Sequence, residues 1–140
     1  MLSARDEAHN IAKLLKSINQ QDTKPHEVIV VNDSSTDDTA GVAAGHGARV
    51  IDAQALPDGW MGKPWACYQG AEAATGDWFL FLDADTELHS DAMSVFQQLS
   101  ESTDSVHSVC PYHQVKSPYE QLSAFFNTMM LAGSNAFSPR

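Results

Sequence analysis

Apolar residues at Ile11, Leu14, Leu15 and Ile18 recur at i, i+3, i+4 and i+7, which predicts a helix over residues 7–19 with one buried stripe. After Pro25 the pattern changes. Residues 27–31 (Glu-Val-Ile-Val-Val) form a short β-branched run that suits a strand buried on both faces. Residues 32–39 are too polar for a core. Within them Ser35 and Asp38 have the spacing of a capping box, so a helix is expected from there to Gly45, ended by Gly45 and Gly47. Residues 49–52 read as a second strand, residues 57–62 as a loop with turn chemistry, and residues 63–74 as a helix closed by Gly76. The most apolar run, residues 78–82 (Trp-Phe-Leu-Phe-Leu), reads as the strongest strand. Ser90 or Asp91 is placed to cap a helix to Leu99, and residues 106–110 read as another strand. Pro118 opens a last helix, whose Leu122, Phe125, Phe126, Met129 and Met130 make a wide apolar stripe.

Strands alternating with helices predict an α/β fold with a mainly parallel sheet flanked by helices. At 140 residues the chain is expected to be a single domain or part of one, residues 1–140. Eight Lys and Arg against eighteen Asp and Glu give a net charge of −10. That balance excludes the basic face a nucleic-acid partner needs, and attraction to anionic lipid through charge alone. Cys67 and Cys110 make no disulfide framework and have no zinc-ligand spacing, so they read as reduced thiols of a cytoplasmic protein. The six histidines show no ligand spacing either. No apolar run approaches the ~20 residues of a membrane span.

In parallel α/β sheets ligands sit beyond the carboxyl ends of the strands. Two predicted strand ends carry carboxylates. Asp83 and Asp85 follow the strongest run, and residues at i and i+2 of an extended segment point the same way. Two hard oxygen donors suit Mg²⁺ or Mn²⁺, which bind through one or two carboxylates plus substrate phosphates. The bland alternative is a solvated turn. A second chemical alternative is that Asp83-Ala84-Asp85-Thr86 resembles the D-x-D-x-T motif of haloacid-dehalogenase-type phosphatases, with Asp83 as nucleophile and Asp85 as acid/base. That chemistry needs a downstream Lys and an acidic pair; after residue 86 the only Lys is Lys116 and no such pair follows. At the other strand end, Asp33 can accept a hydrogen bond from a base N–H, or Asp33, Ser34 and Ser35 can simply cap the next helix.

Four stretches together resemble family 2 glycosyltransferases of the GT-A fold. Ser3-Ala4-Arg5-Asp6-Glu7 resembles P-A-R-N-E, and residues 30–39 resemble V-V-N-D-G-S-T-D-x-T. Residues 60–70 resemble the G-W-x-G-K-x-x-A-x-x-Q-G stretch, and residues 79–85 the strand and its D-x-D. Residues 108–113, Tyr119-Glu120 and residues 125–127 resemble the bacterial subgroup that glucosylates a carotenoid carboxylate.

The resemblance implies a Rossmann-like nucleotide-sugar domain and an inverting, metal-dependent transfer from a UDP-sugar, with glucose as the sugar. The acceptor would be lipid-like, such as a carotenoid carboxylate. Asp33 would accept from the uracil ring. Ser3, Ala4, Arg5 and Glu7 would line the nucleotide pocket, and Lys63 would lie near the diphosphate. Asp83 and Asp85 would serve ribose and metal, Mg²⁺ or Mn²⁺, with Asp85 as the direct ligand. The family's first strand is reduced to Met1 and Leu2, and its acidic general base lies beyond residue 140. The chain is therefore expected to be the donor-binding part of a longer enzyme, incomplete at both ends and weak or inactive alone. It would then work in the cytoplasm or at the cytoplasmic face of the bacterial membrane, touching the bilayer through the missing C-terminal part. A nucleotide-binding remnant without catalysis is the other reading. Asp6 stands where the family has Asn and Ser34 where it has Gly, whose freedom at positive φ Ser lacks.

Overall fold

The computed structural model describes residues 1–102 and 105–109. The chain divides into two units, Met1–Val106 and His107–Arg140, and the architecture below belongs to the first. The expected helix from Pro118, its apolar stripe and Cys110 lie outside the described residues.

Three parallel strands, β1 (Leu2–Ala4), β2 (Ile29–Asn32) and β3 (Arg49–Asp52), form a sheet in that order. Leu2 pairs with Val30 and Val30 with Val50. Helix α1 (Ala8–Asn19) connects β1 to β2, and α2 (Thr39–Gly45) connects β2 to β3. Helices α3 (Gly62–Ala73) and α4 (Ala92–Ser102) follow.

The sheet's two faces fill two cores, because alternate strand residues point to opposite sides. Leu2, Ala4 and Val30 face one side with Ile11, Leu14, Leu15 and Ile18 of α1 and Ala43 of α2. Ile29 and Val31 face the other, against Ala66 of α3, with Met1 and Ile51 alongside. The apolar run of β2 is thus buried on both faces, as its composition predicts. Helix α3 approaches the sheet closely at Gly70: a Cβ there would sit 2.6 Å from Met1 Sδ and 3.1 Å from Val31 Cγ2.

Three expectations are corrected. Residues 78–82 make no strand; Leu82 forms a single parallel bridge to Leu2. Leu82 N–H donates to the Met1 carbonyl at 3.1 Å and the Met1 amine donates to the Leu80 carbonyl at 2.7 Å. Among the described residues no further ladder bonds extend the bridge, and Trp78, Phe79 and Phe81 stay about half exposed. Residues 106–109 are irregular and Val106 is fully exposed, so no strand forms among them.

The capping box is also replaced. Asp38 holds the N-cap position of α2 without a side-chain bond. The Ser35 hydroxyl instead accepts from the Asp6 N–H at 3.1 Å, and Asp37 Oδ1 takes the Thr39 N–H at 3.0 Å. The remaining boundaries move by a few residues at most, as helix ends usually do.

Candidate functional site

Strands β1 and β2 and residue 82 all point their carboxyl ends to one edge of the sheet, and the segments that follow them meet there. A cleft of about 340 Å³ opens at this edge. Ser3, Ala4, Arg5 and Glu7 line it from β1 and its turn, and Asp33 from the end of β2. Lys63 lines it from the first turn of α3, and Asp83 and Asp85 from the segment beyond residue 82. All eight residues singled out in the sequence are brought together. Ala84 joins them because it lies between the two aspartates.

The walls are held by backbone geometry. Asp33 N–H donates to the Ala4 carbonyl at 2.9 Å, which carries the ladder one step beyond β2 and fixes where Asp33 leaves the sheet. Asp33 Oδ2 lies 3.5 Å from where a Cβ on Gly62 would stand, so the side chain rests against the start of α3. Lys63 pairs with Asp83 through Nζ and Oδ1, and both side chains stay mostly exposed, at 64% and 62%. The hydrogen bond to Asp83, aided by the Asp85 charge, holds the Lys63 ammonium above the usual lysine range.

The sequence reading missed what joins the first two walls. Asp6 Oδ1 accepts from Thr36 N–H at 2.6 Å and from the Thr36 hydroxyl at 3.0 Å. In return, Glu7 N–H donates to Thr39 Oγ1 at 2.9 Å and Ala8 N–H to Asp37 Oδ2 at 3.0 Å. Each βα turn thereby supplies partners for the other's unpaired N–H groups, the need that every helix start creates. Asp6 and Ser34 carry the turns at φ +54° and +57°. Ser34 therefore takes the left-handed conformation despite its side chain, a backbone that favours glycine. Both aspartates accept hydrogen bonds that favour the ionised form: the Thr36 N–H and hydroxyl lower Asp6, and the Thr39 hydroxyl with the Ala8 N–H lowers Asp37.

The third wall is fixed from behind by Ser17 and Gln21, which the apolar pattern does not single out. Gln21 is buried; its Nε2 donates to the His89 carbonyl at 2.7 Å and its Oε1 accepts from Met93 N–H at 3.1 Å. The Ser17 hydroxyl accepts from Leu88 N–H at 3.1 Å. The segment after Asp85 is thus tied to α1.

Trp60, Trp65 and Tyr68 pack on one another with centroids 5.1–5.6 Å apart, and Trp65 Nε1 donates to the Gln54 carbonyl at 3.1 Å. They form a surface cluster in which Trp60 and Tyr68 remain exposed, and none lines the cleft.

Among the described residues no group of three or more His, Cys, Asp or Glu could hold a metal ion. Asp83 and Asp85 nevertheless fit a cation that takes one or two carboxylates and completes its shell with phosphate oxygens and water. Asp83 already attracts a cation, the Lys63 ammonium.

In a parallel α/β sheet the carboxyl edge, where this cleft lies, is the place where ligands bind. The chain belongs to glycosyl transferase family 2, whose model matches residues 1–135. The 4,4'-diaponeurosporenoate glycosyltransferases of Staphylococcus aureus (strain USA300) and Staphylococcus haemolyticus (strain JCSC1435) are 45% and 40% identical over 99% of this chain. The chain spans 38% of the length of these curated relatives.

Among solved structures, glucosyl-3-phosphoglycerate synthase from Mycobacterium tuberculosis, in complex with Mn²⁺, UDP and glucosyl-3-phosphoglycerate, matches with a TM-score of 0.52. It is 34% identical over 61% of this chain and 33% of that one. S. aureus TarS 1-349 matches with a TM-score of 0.59 and 25% identity over 71% of this chain and 31% of that one. The fold is therefore GT-A, and the aspartyl-phosphate hydrolase alternative falls away.

Proposed function

We propose that the cleft is the donor site of an inverting, metal-dependent glycosyltransferase that takes a UDP-sugar, with glucose as the first candidate. The observation that carries this reading is the convergence of Asp33, Lys63, Asp83 and Asp85 on one cleft at the carboxyl edge of the sheet. The Mn²⁺ and UDP held by the mycobacterial synthase support the donor class. The names of the staphylococcal relatives support a lipid-like carboxylic acid as acceptor.

In this reading each residue has a physical task. Asp33 accepts from the uracil N–H, a charge-assisted bond that selects the base. Ser3, Ala4, Arg5 and Glu7 shape the nucleotide wall. Asp85 would be the first ligand of Mg²⁺ or Mn²⁺, and Asp83 would add a second carboxylate oxygen. The metal supplies neutralisation of the diphosphate that leaves. Lys63 adds a second positive charge where negative charge builds as the sugar departs.

No helix among the described residues is long and apolar enough to cross a membrane. Work at the cytoplasmic face of a bacterial membrane, where a lipid-like acceptor resides, is part of the proposal. Calorimetric titration of UDP, with and without Mn²⁺, tests the donor site on wild type and Asp85→Ala. Binding that needs Mn²⁺ and is lost in the variant supports it. Metal-independent binding, or equal binding by both proteins, overturns it.

A further inference from the structure

Arg5 and Lys63 face Glu7, Asp33, Asp83 and Asp85, so the cleft lining carries a net charge of −2. A nucleoside diphosphate entering alone meets repulsion, whereas a divalent cation brings the lining to neutrality. The Asp83 oxygen a metal would take is engaged by Lys63 Nζ. Both partners are largely exposed, so the pair is screened and opens easily. Lys63 also sits on the first turn of α3, at the cleft wall where a diphosphate would lie.

We propose that Lys63 is an exchangeable counter-ion. With the cleft empty it neutralises Asp83 and competes with a divalent cation there. When the nucleoside diphosphate and the cation enter together, its ammonium passes to the diphosphate and releases the Asp83 carboxylate to the metal. The inference rests on the donor-site reading above and adds a coupling to it. Metal and nucleotide each bind weakly alone and raise each other's affinity by the same factor, because such coupling is reciprocal. Lys63 thus acts as a positioning residue as well as a charge for the leaving group.

Mn²⁺ titrated into the 140-residue chain, with free Mn²⁺ read by electron paramagnetic resonance, tests this with and without UDP. Wild type is compared with Lys63→Met, Lys63→Arg and Arg5→Met. Without UDP, Lys63→Met is expected to bind Mn²⁺ about fivefold or more tightly than wild type, the lower end of usual coupling factors. The factor by which UDP raises Mn²⁺ affinity is expected to shrink in the same variant. Lys63→Arg is expected to keep wild-type behaviour, and Arg5→Met to change Mn²⁺ affinity much less.

Equal or weaker Mn²⁺ binding by Lys63→Met, while wild type still binds UDP with Mn²⁺, overturns the exchange and leaves the donor site standing. An equal gain in Arg5→Met overturns it too, since that is the general field of the cleft. A folded wild type that binds neither Mn²⁺ nor UDP overturns both readings.

Discussion

Asp6 and Thr36, thirty residues apart, share two hydrogen bonds: Oδ1 of Asp6 accepts from the Thr36 N–H at 2.6 Å and from its hydroxyl at 3.0 Å. The turn after β1 is thereby fixed against the turn after β2, and these turns carry Glu7 and Asp33 into the cleft. The bonds favour ionised Asp6, so its carboxyl is held below the ordinary 3.8. The unfolded chain then binds the proton more readily than the folded one. The stabilisation is present above about pH 4 and is lost as pH falls through the lower folded value. Thermal melts from pH 7 to pH 3 should show wild type above Asp6→Ala at neutral pH and the gap closing below about pH 4. A gap independent of pH contradicts this.

Gln21 is a second cross-link hidden from the apolar pattern. Replacing it by Leu keeps much of its volume but leaves the His89 carbonyl and the Met93 N–H without their partner. A stability loss of about 1–3 kcal/mol is expected from such orphaned groups. Urea unfolding measures it; an unchanged midpoint would mean that water replaces the amide.

Gly70 is where α3 comes closest to the sheet, against Met1 and Val31. Gly70→Val adds a branched side chain where a single carbon already crowds both neighbours. Overpacking of this kind costs roughly 1–3 kcal/mol. A lowered melting temperature is the expected result, and an unchanged one contradicts the close approach.

The hydrophobic periodicity makes α1 legible and the β-branched run makes β2 legible, because both bury faces that their own sequences mark; β3 and α3 are legible from the turn and glycine breaks around them. Of the cleft, Asp33, Asp83 and Asp85 are legible as carboxylates directly after apolar runs, whereas Ser3, Ala4, Arg5, Glu7 and Lys63 are marked only by the resemblance to family 2. Residues 78–82 show the boundary of such reading. Their apolar character states a need for burial, but a strand also needs a partner, and among the described residues only Leu82 finds one, in its bridge to Leu2. The capping of α2 shows another. Local spacing pointed to Ser35 and Asp38, whereas Ser35 serves the turn of Asp6, a pairing between distant turns that no local pattern encodes. Ser17 and Gln21 were missed because a buried polar group announces itself only through its partners.

Asp33 is the residue proposed to read the base. Asp33→Ala should weaken UDP binding by roughly 10- to 100-fold, the worth of a hydrogen bond to a charged group. Its side chain is only partly buried, so the melting temperature should hold. Calorimetry and a thermal melt on the same sample separate the two effects; equal UDP affinity in the variant contradicts the role.

The donor cleft itself is most directly tested by amide chemical-shift mapping of the chain as UDP is added with Mg²⁺. The largest shifts are expected at residues 3–7, 33, 62–63 and 83–85, where the sheet's carboxyl edge meets the start of α3. Shifts concentrated elsewhere, or none in a folded sample, would contradict the assignment of this cleft to a nucleotide-sugar donor.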